Sequence, residues 1–260
     1  AASIANSGTQ PYALNYLITP NATGCTGVPD TLSITVMPAP AIQFSGGPSQ
    51  ALCSGQSSVS VNMTSATPNV IWSWTVTSSN NVSGANPASG NSATIPSFNL
   101  TQNTNTPQTV IISAQANTTN GGCQGAASTY TITVNPIPTV TATVSPSNTI
   151  CSGGNITLNL TSNVANATFA WTSNTTAGIT GNTNNSGSTI TNTLVNATAS
   201  AGTVTYSIIP TANACSGNAV TSTITVNPVA QMSGLTNISV CPGANIAPPA
   251  FQSIPQGASF

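Results

Sequence analysis

The 260-residue chain has no lysine, no arginine and no histidine, and its one acidic residue is Asp30. An average soluble domain is about a quarter charged, so each absence excludes something. Without cations there is no phosphate cradle, no counterion-releasing face for nucleic acid and no polybasic contact with anionic lipid. Nucleic acid is therefore not a partner class for this chain. Without histidine there is no Ser–His or Cys–His dyad, and of the His, Glu, Asp or Lys that general acid–base catalysis uses only Asp30 is present. The residues predict a non-enzyme that uses no cofactor. Zinc would need cysteines converging in fours, whereas neighbouring cysteines here lie 26 to 70 residues apart with no Cys-x-x-Cys pair. No apolar run approaches the roughly 20 residues of a membrane span. The opening "AASIANSG" lacks the basic and apolar regions of a signal peptide. The chain reads as a piece of a longer protein.

Apolar residues make up 38% of the sequence, and Ser, Thr, Asn and Gln take over the solvation that ions usually provide. The phrase Thr-Ile-Thr-Val-Asn-Pro occurs twice, ending at Pro136 and Pro228, and a variant, "SITVMP", ends at Pro38. The three prolines stand 98 and 92 residues apart. Cys25, Cys123 and Cys215 each precede the valine of the phrase by 11 residues, and Cys53, Cys151 and Cys241 each follow its proline by 13 to 15. Two cysteine series sharing one period mark internal repeats. Residues 1–38 read as the end of one repeat, 39–136 and 137–228 as two whole repeats, and 229–260 as the start of another. "NYLITPNATGC" matches "TYSIIPTANAC", placing Tyr16 on Tyr206; at the other end Phe260 falls where Phe169 stands in its repeat.

Each whole repeat reads as all-β, because apolar residues alternate with a period of two. Val59, Val61 and Met63 form one stripe, and Ile156, Leu158 and Leu160 its counterpart. Val110, Ile112 and Ala114 match Val204, Tyr206 and Ile208. The pairs Trp72/Trp74 and Phe169/Trp171 share a strand face and read as core aromatics, as does Tyr206. About seven strands per repeat is the count of an immunoglobulin-like sandwich. The repeated phrase closes each repeat: Ile and Val point inward, Thr outward, and Pro, which cannot donate to a ladder, ends the strand. The next strand follows within two to four residues, so the repeats are expected to propagate as a stiff rod.

The motif set, Cys-Ser-Gly, aromatic-x-Trp, Cys-x-Gly and Thr-x-Thr-Val-Asn-Pro, resembles the PKD-like, immunoglobulin-like repeats of giant Bacteroidota cell-surface adhesins, the gliding-motility adhesins above all. The resemblance spans both whole repeats and both partial ones. It implies export by the type IX secretion system, an extracellular place at the cell surface with attachment to the outer membrane, and a filament that contacts the substratum. The calcium site of some PKD domains does not carry over, since its clustered carboxylates are missing. "DTL" resembles the Bacteroidota O-glycan signal and would put a sugar on Thr31. The sequons at Asn62, Asn81, Asn155, Asn166 and Asn237 are what chance yields in so Asn- and Thr-rich a chain.

In an exported chain the six cysteines read as disulfide candidates. Pairing within a repeat would join Cys53 to Cys123 and Cys151 to Cys215. Topology favours another answer. The early cysteine sits in the turn after the first strand and the late one in the turn before the last strand, at opposite poles of a sandwich. A disulfide needs Cα atoms roughly 4.4–6.8 Å apart. The facing poles of consecutive repeats favour Cys53–Cys215 across the seam at Pro136, leaving Cys151, Cys25 and Cys123 to pair outside the chain. The leading functional expectation is a structural stalk whose partners are neighbouring repeats. The alternative is a binding module that would take a surface polysaccharide or another cell. Ice or mineral binding ranks below both, because Thr-x-Thr occurs only once or twice per repeat on sheets that twist.

Overall fold

The computed structural model describes residues 3–119, 122–233, 237–245 and 252–254; Phe260 lies outside them. Among the described residues no helix is long and apolar enough to cross a membrane. The chain divides into two units at the junction of Pro136 and Ile137, the position of the seam phrase.

In the first unit, residues 12–36 form an isolated ladder. Strand β1 (Tyr12–Ile18) pairs antiparallel with β2 (Asp30–Val36). The whole repeat that follows is built from β3 (Ser49–Cys53), β4 (Val61–Thr64), β5 (Val70–Ser78), β6 (Asn99–Gln102), β7 (Gln108–Thr118) and β8 (Ser128–Asn135). One sheet has the order β5-β7-β8-β3, with Ser89–Gly90 at its far edge. Its last pairing, β3 on β8, is parallel, and Cys53 lies opposite Asn135. The other side is assembled from two shorter pieces: β4 between Gln43–Phe44 and Thr94–Ile95, and β6 between Val82–Ser83 and Gln56–Ser57.

The repeat in the second unit follows the same plan with longer strands. These are β9 (Val140–Ser145), β10 (Thr149–Cys151), β11 (Gly154–Ser162), β12 (Thr168–Thr175), β13 (Thr189–Asn196), β14 (Gly202–Ala212) and β15 (Val220–Asn227). One sheet is β9-β11-β13 with Ile179–Thr180; the other is β10-β15-β14-β12 with Asn185–Ser186. The first strand of the repeat is thus split. Its front half, β9, pairs antiparallel with β11, and its back half, β10, crosses to the opposite sheet and pairs parallel with β15.

Each repeat has its own core between its sheets. Ile156, Leu158 and Leu160 from β11 meet Phe169 and Trp171, and Val204, Tyr206 and Ile208 from β14. In the other repeat Val61, Met63 and Trp74 meet Val110, Ile112, Ala114, Tyr130, Ile132 and Val134. Alternation fills these stripes because successive strand residues face opposite sides. A compensating exchange preserves core volume. Ile112 lies opposite Tyr130 in one repeat, and at the matching pair Tyr206 lies opposite Ser222. One stripe residue departs from its expected place. Val59 is 65% exposed, since the strand begins only at Val61 and the Val59 N–H turns to the Gln50 side-chain oxygen at 3.1 Å. On the isolated ladder Tyr16 is 44% exposed, while Tyr206, its sequence match, is fully buried. No second sheet covers β1 and β2 among the described residues.

Candidate functional site at the ends of each repeat

The polar and cysteine chemistry collects at the two ends of each repeat. At the trailing end the Cys-Ser-Gly motif ties both sheets together. The Ser54 N–H donates to the carbonyl of Asn135 at 2.8 Å, and the Ser152 N–H to that of Asn227 at 2.7 Å. The hydroxyls reach the other sheet. Ser54 Oγ donates to the Gln102 carbonyl at 3.2 Å and accepts from the Gln102 N–H at 2.9 Å. Ser152 Oγ makes the same reciprocal pair with Asn196, at 3.3 and 2.9 Å. Gly55 and Gly153 have φ of +87° and +83°, the left-handed region that favours glycine. That turn sends their N–H groups to the carbonyls of Leu100 and Leu194, each at 2.8 Å. Asn196 completes the second instance by donating to the carbonyls of Val226 and Ser200 at 2.7 and 2.8 Å. Sequence reasoning used Cys-Ser-Gly as a repeat marker and missed the serine's part. Its recurrence at 53–55 and 151–153 was the available signal.

The early cysteines therefore do not occupy a turn after the first strand, as expected. Each ends a strand that lies parallel to the last one: Cys53 faces Asn135, and Cys151 faces Asn227. Beside Cys151, residues Ser152, Asn196, Thr198, Pro228, Val229 and Gln231 line a recess of about 360 Å³.

At the leading end the late cysteines sit on a hairpin pressed against the chain that enters the repeat. In the second unit Ala212 pairs with Cys215, and the Gly217 N–H donates to the Pro210 carbonyl at 2.8 Å. A Cβ on Gly217 would lie 1.9 Å from the Pro138 carbonyl oxygen. In the first unit Asn117 bridges Gln124, a Cβ on Gly125 would lie 2.0 Å from the Pro40 carbonyl oxygen, and Cys123 Sγ is 3.9 Å from the Met37 carbonyl oxygen. The isolated ladder repeats the hairpin, with Ala22 opposite Cys25 and Gly27 donating to Pro20, yet a Cβ on Gly27 would meet only Pro20.

Cys53 and Cys215 are disulfide-bonded; Cys25, Cys123, Cys151 and Cys241 are free thiols. The pairs Cys53–Cys123 and Cys151–Cys215 are therefore not formed. The physical reason lies in each repeat. The early cysteine stands at the end of the last strand, whereas the late one precedes that strand's start. Seven strand steps separate the two ends, about 23 Å, far beyond disulfide reach.

The aromatics are structural. Trp74, Phe169 and Trp171 are buried and Trp72 packs against the core; Trp171 Nε1 donates to the Thr183 carbonyl at 3.1 Å. Tyr206 donates its hydroxyl to Asn192 Oδ1 at 2.8 Å, and burial pushes its pKa up to about 12. Burial raises Tyr130 as well. Thr31 is exposed on β2, its N–H donating to Asp30 Oδ1 at 2.8 Å. Among the described residues no three His, Cys, Asp or Glu side chains gather where they could hold a metal ion.

Two facing sheets, a split first strand and a parallel pairing of its back half with the last strand define an immunoglobulin-like β-sandwich. The model of the PKD-like domain matches residues 50–138 and 148–230. The chain belongs to the PKD-like domain family. No curated protein matches it. Solved structures similar to it include the FN1–FN3 domains of chicken CNTN1, at 11% identity over 83% of this chain and 76% of that one, with a TM-score of 0.33. Another is the I67–I69 I-band fragment of titin, at 12% identity over 73% and 66%, with a TM-score of 0.42. A third is the fibronectin(III)-like modules of Clostridium thermocellum CbhA, at 13% identity over 72% and 95%, with a TM-score of 0.31.

Proposed function

We propose that these repeats are non-enzymatic spacers of a large extracellular surface adhesin, a stalk that carries an adhesive end away from the cell in surface attachment and gliding motility. The observation that carries the reading is the duplication of one end-structure. Both repeats close their trailing ends with the same Cys-Ser-Gly tie between sheets and press the same late-cysteine hairpin on the incoming chain. A binding module needs a distinctive loop, whereas a stalk needs identical ends. Family membership and a surface almost without ions suit such a spacer, which has no charged ligand to attract. In this reading the stalk's partners are neighbouring repeats; type IX secretion and outer-membrane attachment come with the adhesin resemblance.

Small-angle scattering on residues 39–228 tests it. The longest strands run 11 residues, roughly 36 Å, so with loops each repeat should advance on the order of 40 Å. An elongated particle of that spacing is the expected result. A compact particle with the repeats side by side would refute the stalk.

A further inference from the structure

An unguarded sheet edge carries an inference beyond the stalk and independent of it. We infer that this chain pairs with a second copy of itself through β9, edge to edge and antiparallel, so that β13-β11-β9 of one copy continues into β9-β11-β13 of the other. The pairing runs from Val140 to Val144 and is centred on Ala142.

Three observations lead there. First, β9 ends its sheet, and among the described residues no strand lies on its outer side. Its inner side pairs with β11 from Val140 to Ser145. Thr139 turns its N–H to that inner side, to Asn163 Oδ1 at 2.8 Å. Antiparallel bonding alternates along a strand, so the N–H and C=O groups of Val140, Ala142 and Val144 point to the open edge. Second, nothing guards that edge. Sheets blunt their edges with charged side chains, proline, bulges or very short strands, and Val140–Ser145 has six residues in unbroken register with no charge and no proline. The first repeat does blunt it. There the matching stretch, "AIQFSGGPS" (41–49), keeps only the two-residue strand Gln43–Phe44. Gly46 and Gly47, with φ of +78° and +94°, stand where Val144 and Ser145 stand in "TVTATVSPS" (139–147). Third, the edge is self-complementary. Two identical edges can meet with their core sides on one side only about a two-fold axis through the sheet, which makes the strands antiparallel. Centred on Ala142, Val140 lies opposite Val144 of the second copy, Thr141 opposite its Thr143, and Ala142 opposite its equivalent. Ala142 and Val144 are partly buried against their own core, so pairing covers their open flank. Thr141 and Thr143 are exposed and continue the polar face of Asn159, Thr161, Thr189 and Thr191.

The partner is a second copy because the edge offers no charge to draw a different one. What selects its partner is a strand that sets β-branched side chains opposite β-branched side chains and like charges opposite none. Val140–Val144 supplies this to itself. A two-fold contact of this kind is complete with two copies. Pro138 and Pro146, which have no N–H to donate, bound its length. The two copies run in opposite directions, as chains reaching from facing surfaces do.

Analytical ultracentrifugation of the full chain, its free thiols blocked with N-ethylmaleimide, tests this over a concentration series. A monomer–dimer equilibrium is the expected result. In the dimer the amides of Val140, Ala142 and Val144 should exchange hydrogen more slowly than in the monomer, while those of Thr141 and Thr143, which face β11, keep their rate. Thr141→Lys combined with Thr143→Lys sets like charges opposite each other across the two-fold and should raise the dissociation constant about tenfold. Thr143→Lys alone, at one exposed position, should shift it the same way and serves if the double variant does not fold. Thr191→Lys, exposed on the same polar face but two strands away, should leave the dimer unchanged. A chain that stays monomeric up to about 1 mM overturns the pairing. So does a dimer that the β9 variants leave intact, as pairing through β1 or β2 would give. A dimer that Thr191→Lys weakens as much as they do overturns it too, since the contact would then lie on the sheet face. A monomer that still scatters as an elongated particle would remove the edge pairing and leave the stalk.

Discussion

Replacing Gly217 by alanine tests the leading end of a repeat directly. The new Cβ would lie 1.9 Å from the Pro138 carbonyl oxygen and 2.8 Å from Pro210 Cγ. Both neighbours are stiff: one is backbone, the other a proline ring. Restoring even 3 Å to the carbonyl requires the hairpin or the incoming chain to retreat by about 1 Å, and interiors pack too densely for that to cost nothing. Forcing a methyl group into such a site costs about 1–3 kcal/mol, and losing the Gly217 N–H bond to Pro210 adds about 1 kcal/mol. In a domain of this size each kcal/mol moves Tm by about 4–8 °C, so a drop of roughly 10–30 °C is expected for this repeat. Differential scanning calorimetry of the full chain reads it. Gly125→Ala should show the same drop in the other repeat, since its Cβ would meet the Pro40 carbonyl at 2.0 Å. Asn218→Ala, at an exposed neighbour, should stay within about 0.5 kcal/mol. If both glycine variants melt within 2 °C of the parent, the hairpin is not pressed against the incoming chain and the reasoning fails.

At the trailing end, Ser152→Ala removes both the acceptor of the Asn196 N–H and the donor to its carbonyl. It should cost about 1–3 kcal/mol in urea unfolding, and Ser54→Ala should cost as much in the other repeat. Tyr206 gives the pH dependence. Its folded pKa is raised to about 12 from 10.0 by burial, so the stability from its neutral phenol is complete below pH 10 and is lost as pH rises toward 12. That is a fall of about 2–3 kcal/mol, read by urea unfolding on the thiol-alkylated chain, and Tyr206→Phe should remove it, leaving only the part that Tyr130, also raised by burial, contributes.

How much of this was legible depends on the range over which each feature is encoded. Alternation is local, so the core stripes of Ile156–Leu160 and Val204–Ile208 could be read directly, and so could the strand-ending Asn-Pro. Val59 shows the limit: alternation continues two residues past the point where hydrogen bonding stops. The parallel pairing of Ser49–Cys53 with Ser128–Asn135 joins residues about 80 apart, and nothing in either segment's period names its partner. That pairing turned the early cysteine from a turn residue into the end of a strand while keeping it at the pole opposite the late cysteine. The serine of Cys-Ser-Gly was visible as a repeated letter, but its role required knowing which strand end stood across from it.

The same parallel pairing decides how a repeat carries load. Tension enters at the start of Ser49–Cys53 and leaves at the end of Ser128–Asn135, and these two strands run side by side in one direction. Pulling them apart shears every bond of the ladder at once, whereas an antiparallel hairpin pulled from its open end would unzip one bond at a time. The ladder holds while force rises, and then fails over its whole length. Single-molecule pulling of the chain from its termini should therefore show each whole repeat unfold in one step, releasing about 90 residues or roughly 300 Å of contour length. Release of that length in a run of small steps would mean that the load opens the ladder from one end.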